Sequence, residues 1–513
     1  MLDLLYPLGY LASLLGLIMW FYFKEQPERS RLMSKVFLGG FFIYLFSLAF
    51  ANGALNYKLL ILFRDLVILG LVSQFFNFLR KNTLLFFAVL AILLAAFRLF
   101  GYKKMMQTFP QPTAIVSSIA NSGTALAEDG ELLVDLSETG KKETLQQLSE
   151  QFNFSFTRAF FPEDEAATEL DDYFVIDLNS GADRQAIMDA LMNSGLVDYV
   201  EENETIKLDP MEMEPASVTL RDFGINDPEV KQLWGFEKMK VDQLYADLAK
   251  AKIKPKRKAR VFILDTGIDA QHEDIKANYR SHKRSYDTDT QSHGTHCAGI
   301  AAAVSNNGLG IASFSKDNSL VEVTSVRVLN GFGGGTQQGI IKGMLEAADA
   351  GADVISMSLG GPGNRQKQQA YKKAVDYANK KGAIVVVAAG NSNRDAKDYA
   401  PANVPGVITV AALNAELNRA QFSNSVNSLK MGVAAPGVGI YSTIPKNKYA
   451  AFNGTSMATP YVAGLLGVMK SIYPKLTTKE AYNILNKTGA TTGDTKMTGR
   501  FIQPAAAVKE LLD

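Results

Sequence analysis

Val261-Phe262-Ile263-Leu264-Asp265-Thr266-Gly267 runs from unbroken apolar residues into a carboxylate and a glycine. Strands without regular polar alternation are buried on both faces, which implies a parallel sheet between layers of helix. Largely apolar strands are predicted at 259–264, 354–357, 383–389 and 407–412, alternating with helical stretches. The second half of the chain therefore belongs to the α/β class.

Two further windows follow in order: Ser292-His293-Gly294-Thr295-His296 and Asn453-Gly454-Thr455-Ser456-Met457-Ala458-Thr459-Pro460. An aspartate ending a strand, a histidine opening a helix and a serine opening another are the parts of an acyl-transfer site. A serine hydroxyl is a poor nucleophile until a neighbouring base takes its proton, and that base needs a fixed tautomer. Ser456 enters an apolar helix containing Val462, Leu465, Leu466 and Met469, so its hydroxyl sits near the positive end of a helix dipole. A plain N-cap serine is the competing explanation. His296 lies one helical turn beyond His293 and reads as a core histidine. No adjacent glutamate completes a His-Glu-x-x-His metal motif. His272 and His282 have no such context. Asp265-Thr266-Gly267 is also the signature of aspartic proteases, but those need two such carboxylates sharing a proton, and this is the only copy.

The three windows resemble the corresponding motifs of the subtilisin-like serine proteases, the subtilases, and the resemblance extends from residue 226 onward. It implies a doubly wound, mostly parallel sheet with ligands at the strands' carboxyl ends. It implies Asp265, His293 as general base and Ser456 as nucleophile. Asn391, ending Val385-Val386-Val387-Ala388-Ala389-Gly390-Asn391, takes the oxyanion position. Ser358-Leu359-Gly360 and Gly333-Gly334-Gly335 would sandwich an extended protein or peptide substrate by backbone pairing. No cofactor is required. Asp274 occupies a position that would serve a structural calcium, but the 304–310 loop is shorter than the family's calcium loop, so that site is not carried over. Cys297 resembles a free thiol of some members and reads as buried packing.

The first hundred residues are different. Apolar runs at 4–23, 36–55, 59–79 and 83–100 approach the roughly 20 residues of a bilayer span. Four successive runs do not fit a cleaved signal peptide. Lys24, Arg29, Arg31 and Lys35, with Arg80 and Lys81, place two turns on the cytoplasmic side, while Lys58 stands alone in the opposite one. Everything after residue 100 is then exported to the outer face of the plasma or inner membrane; Lys103 and Lys104 oppose this assignment. Arg64 and Asp65 read as interfacial residues near Lys58.

Between membrane segment and protease, residues 132–136, 152–161, 173–178 and 199–208 predict strands, with helices at 142–151 and 184–194. Strand-helix-strand-strand-helix-strand is the split βαβ, ferredoxin-like order. Tyr199-Val200-Glu201-Glu202-Asn203 resembles the end of a subtilase propeptide, the family's built-in inhibitor. The expected division is a four-helix membrane segment (1–102), a linker (103–128), a propeptide-like domain (129–208), a processing linker (209–225) and a catalytic domain (226–513). The net charge of +1 over 513 residues gives no attraction to nucleic acid. Cys297 is the only cysteine, so no intramolecular disulfide forms.

Overall fold

The computed structural model describes residues 2–50, 55–96, 127, 130–137, 142–179, 181–208, 211–213, 221–251, 255–363 and 368–512. The chain divides into two compact units, Met1–Gly123 and Thr124–Asp513.

The first unit holds α1 (Leu2–Tyr22), α2 (Pro27–Phe50), α3 (Leu55–Leu79) and α4 (Thr83–Ala96). Leu14, Ile18, Tyr44, Phe76 and Phe86 meet inside it, while Phe42, Phe63, Phe78 and Leu84 point outward. Two stretches, Pro27–Leu48 and Leu62–Leu79, are long and apolar enough to cross a membrane; Leu8–Tyr22 and Thr83–Leu94 are shorter. Residues 97–100 of the fourth expected run lie outside the described residues. The second helix starts earlier than expected, so Arg29, Arg31 and Lys35 stand on its first turns. Pro27 pre-sets the first helical φ and Glu28 complements the helix N-terminus. Asp65 faces the interior of this helical unit. It is buried, accepts from Tyr44 Oη at 3.2 Å and pairs with half-exposed Arg64 at 2.8 Å. An isolated carboxylate is costly in an apolar bundle, so it turns inward to its donors.

In the second unit, β1 (Leu132–Leu136), α5 (Lys142–Phe152), β2 (Phe154–Arg158), β3 (Tyr173–Leu178), α6 (Arg184–Asn193) and β4 (Val197–Glu202) form a small domain. Its antiparallel sheet has the order β2-β3-β1-β4. One face packs Leu132, Val134 and Ile176 against Leu145, Ile187 and Leu191 of the two helices. Leu133, Tyr173 and Val175 turn the other way and join the core of the larger domain. The small and large domains are therefore one packed body.

The expected last strand, 199–208, breaks in two. Asn203 is buried; its Nδ2 donates to Gly130 O at 2.7 Å and its Oδ1 accepts from Gln338 N at 3.0 Å. A side chain bonded in two directions interrupts the ladder there. The chain resumes as β5 (Thr205–Lys207), which leaves the small sheet for the large domain, followed by β6 (Met211–Met213).

The large domain is built on β7 (Ala259–Asp265), β8 (Val321–Arg327), β9 (Gly334–Thr336), β10 (Val354–Met357), β11 (Ile384–Ala388), β12 (Val407–Leu413), β13 (Gly432–Pro436), β14 (Ile440–Ile444), β15 (Lys448–Asn453) and β16 (Arg500–Phe501). The main sheet runs β16-β13-β12-β11-β10-β7-β8 with every neighbour parallel. The helices that flank it include α7 (His293–Ala302), α8 (Gln337–Asp349), α9 (Gln369–Lys380) and α10 (Thr455–Ile472). Along β7, Val261 and Ile263 enter the core shared with α7 and α10. Phe262 and Leu264 enter the one shared with α8 and α9. Side chains alternate across a strand, so an unbroken apolar run serves two helix layers at once.

Candidate active site

Asp265 ends β7, where the sheet continues to β8 on one side and β10 on the other. Such a reversal of strand order is where open α/β sheets bind ligands. The Asp265 carboxylate is fully buried, and His293 Nδ1 lies 2.8 and 2.9 Å from its two oxygens. Gly294 permits this approach, because a Cβ there would stand 2.1 Å from Gly267 O. Burial pulls the His293 pKa down. The Asp265 charge and hydrogen bond, helped by Asp289, outweigh it and leave the imidazole above its usual value.

Asp289 was not singled out from the sequence. Its Oδ1 accepts from Thr266 Oγ1 at 3.0 Å, Gln291 N at 2.9 Å and Ser292 N at 3.0 Å. Its Oδ2 accepts from Thr295 N at 3.0 Å and Thr295 Oγ1 at 2.7 Å. One carboxylate thus ties the turn after β7 to the amino end of α7, where negative charge is favoured. The available signal was an acidic residue four positions before the first helical one.

Ser456 is the second residue of α10, and Pro460 lies four residues further on. Proline has no N–H, so the Ser456 carbonyl lacks its helical donor. Ser358 Oγ supplies one at 2.7 Å, with Cys297 Sγ at 3.6 Å. In return, Ser456 Oγ donates to Ser358 O at 3.0 Å. The hydroxyl is bonded to Ser358 here, and no hydrogen bond joins it to His293. Cys297 marks how near the two halves lie: its Sγ is within 4.8 Å of ligand atoms of both Asp265 and His293. Those three donors lie close enough to hold a metal ion, although Asp265 already binds His293. Burial raises the Cys297 thiol pKa well above normal, so the group is a neutral packing element.

Asn391 follows β11. Its Oδ1 accepts from Thr455 N and Thr455 Oγ1, both at 2.9 Å. With the oxygen held, Nδ2 is the free donor; a Cβ built on Gly454 would lie 3.4 Å from it. The amide hydrogen therefore faces the backbone just before Ser456.

The glycine segment is occupied. β5 pairs antiparallel with β9, with Ile206 opposite Gly335 and Lys207 opposite Gly334. Leu208 N then donates to Gly333 O at 2.9 Å. Ser358 and Leu359 are buried beneath the cleft, followed by Gly360; a Cβ on Gly361 would meet Ile206 Cγ1 at 3.6 Å. The small domain is anchored by buried Glu201, which accepts from Ala370 N at 2.9 Å and Gln337 Nε2 at 3.2 Å. Burial raises this carboxyl to about 8, partly offset by those two donors. Lys373 of α9 pairs with Asp135 at 2.6 Å and Glu169 at 2.8 Å.

The remaining histidines stand apart. His296 Nε2 lies 3.1 Å from Ala450 O, and its ring stacks on Phe452 at 4.3 Å. Burial, then the nearby His293 charge, lower it to about 3. His272 bonds Lys448 O at 3.1 Å, and His282 meets Glu346 at 2.9 Å. Asp274 is buried and accepts from Asn307 Nδ2 at 2.8 Å, Ile311 N at 2.9 Å and Tyr449 Oη at 3.2 Å.

The sequence profile of the subtilase family matches residues 256–501. Subtilisin DY from Bacillus licheniformis is 42% identical over 248 residues, 47% of this chain and 87% of that protein. The chain belongs to the subtilase family. Thermitase from Thermoactinomyces vulgaris is 44% identical over 219 residues, 42% of this subtilase and 75% of thermitase. A thermophilic serine proteinase from Bacillus sp. (strain AK1) is 36% identical over 292 residues, 56% of this chain and 66% of that protein. This subtilase is a serine endopeptidase, a hydrolase of protein or peptide substrates. The matches with subtilisin DY and thermitase cover less than half the chain; the N-terminal helices precede the segment that the family profile matches.

Proposed function

We propose that this subtilase is a membrane-anchored zymogen that cuts peptide bonds through an Asp265–His293–Ser456 triad. The observation that carries the reading is the buried Asp265–His293 pair, set beside a nucleophile candidate at a helix entrance. Ser456 Oγ turns from Ser358 O to His293 Nε2 and attacks the substrate carbonyl as His293 takes its proton. Asp265 fixes the tautomer and stabilises the imidazolium. Asn391 Nδ2 and the Ser456 N–H receive the developing oxyanion. Collapse of the intermediate, with His293 protonating the leaving amine, gives an acyl-enzyme that water hydrolyses. The unprimed part of the substrate lies on Gly333–Gly335 and Ser358–Gly360, where β5 supports this role by lying on the first of these edges.

The small domain acts as the propeptide inhibitor, and a cut within 209–225 disconnects protease from anchor. The four N-terminal helices form the anchor, with lipid against outward residues such as Phe42, Phe78 and Leu84. The protease unit is exported. No calcium is required at Asp274, whose oxygens already accept from three protein donors.

Fractionation of wild type against Ser456→Ala tests the reading. Wild type should yield a fluorophosphonate-labelled fragment separable from the membrane pellet, and the variant neither label nor fragment. Wild type that stays full length in membranes while active contradicts the release step. A catalytically silent peptide-binding protein is the second reading, favoured by the Ser456–Ser358 bond; labelling of wild type excludes it.

A further inference from the structure

β2 and β3 are antiparallel neighbours, with Arg158 opposite Phe174, but fourteen residues, 159–172, connect them. A hairpin connection usually takes about two to five. The small sheet closes without the excess, which reaches across to the large domain instead. Ala159, Phe160 and Leu170 are fully buried in the core that holds Tyr371, Ala374 and Tyr377 of α9. Between them, Glu163 N donates to Asp349 Oδ2 at 3.2 Å and Asp164 N to Tyr377 Oη at 3.3 Å. Charge suits the match: six of the ten residues 163–172 are acidic, and residues 369–381 hold four lysines against one aspartate. β5 grips far less. It lays three residues on the cleft edge and buries only Ile206.

We infer that residues 159–172 are a clasp that holds the small domain on α8 and α9, and that its opening sets the rate at which the cut protease leaves its anchor. This rests on the reading of the small domain as an inhibitor. A cut within 209–225 removes the covalent tether but touches none of the clasp's contacts, so the cut form stays associated until the clasp opens. Opening re-exposes the buried faces of Phe160 and Leu170 to water, and that cost falls on the rate of dissociation. The bond from Lys373 to Glu169 adds less, because the Glu169 side chain is largely exposed and salt screens it. Blocking and holding are thus divided. β5 covers the substrate edge, and the clasp keeps it there.

Full-length Ser456→Ala protein, captured in detergent through an N-terminal tag, provides the test. A site for a sequence-specific protease placed at 214–220 lets the chain be cut on demand, and release of the catalytic domain is then timed. Replacing 159–172 with an Asn-Gly turn should speed release about 100-fold, a barrier difference of about 2.7 kcal/mol. Leu170→Ala combined with Lys373→Met keeps the loop length and should speed release at least about 10-fold. Ile206→Gly weakens the cleft strand instead and should change release by less than about 3-fold, while raising fluorophosphonate labelling of uncut, active protein. Cooperative melting before the cut shows which variants fold. Folded clasp variants that leave as slowly as the parent overturn the inference, and so does Ile206→Gly leaving as fast as they do. Release is read without catalysis, so a protein that never labels at Ser456 removes the protease reading and leaves the clasp to stand on the release rates.

Discussion

The two halves of the active site are built differently. Asp265 and His293 bond each other, and Asp289 locks the loop between them by accepting from five donors. Ser456 has no such cage. Its hydroxyl rests on Ser358 O, and its carbonyl is held by Ser358 Oγ because Pro460 supplies no N–H. On the mechanism we propose, the base is assembled before substrate arrives, while Ser456 exchanges Ser358 O for His293 during turnover. A preassembled, buried hydrogen-bonded pair avoids reorganisation at the moment of reaction. A hydroxyl on a neutral carbonyl turns at little cost.

Breaking the fixed half should have the largest effect. Asp265→Asn leaves the geometry but favours the wrong tautomer; kcat should fall by about 10⁴, the loss known for the equivalent change in a serine protease triad. Steady-state kinetics on a peptide ester checks this after fluorophosphonate titration of active sites. Asn391→Leu removes the side-chain oxyanion donor. It should lower kcat by about 10²–10³ with little change in KM, the magnitude known for subtilisin. Ser358→Ala separates the halves another way. It strands a buried carbonyl, so the protein should lose about 1–3 kcal/mol in denaturant unfolding while the Asp265–His293 pair stays intact. Retained stability would show that Cys297 alone satisfies Ser456 O.

Two smaller effects are set by pH. Only neutral His293 accepts a proton, and its pKa is raised, so kcat/KM of processed enzyme should fall on the acid side with a midpoint above 6.5. Glu201 is raised to about 8 in the docked domain from a usual 4.5. The docked state then binds the extra proton, so this contribution is fully present below 4.5 and lost as pH rises through about 8. In the Ser456→Ala background, the melting temperature should fall between pH 6 and 9 more than it does in Glu201→Gln. Equal slopes would remove Glu201 as the cause.

Much of the protease domain was legible because its signals are local. The run from Val261 to Leu264 has no polar interruption, the pattern favoured in a strand covered on both faces. The sites that escaped depend on residues distant in sequence. Asp289 looks like loop charge until Thr266 and Thr295 are brought to it. Ser358 reads as part of a substrate-pairing edge, and its bond to the carbonyl that Pro460 orphans emerges only when the two segments meet. The strand at 199–208 carries no breaker stronger than Asn203, whose partners Gly130 and Gln338 belong to different domains. Asp65 could not be oriented from hydropathy, since its donor Tyr44 lies on another helix.

The claim that everything else depends on is that Ser456 becomes the nucleophile of the pre-formed Asp265–His293 pair. The most direct measurement is to treat processed enzyme with a fluorophosphonate and map the adduct by peptide mass spectrometry, alongside His293→Ala. Our account predicts a single stoichiometric adduct on Ser456 that all but disappears in His293→Ala. An adduct elsewhere, or one on Ser456 that forms equally fast without the imidazole, would contradict it.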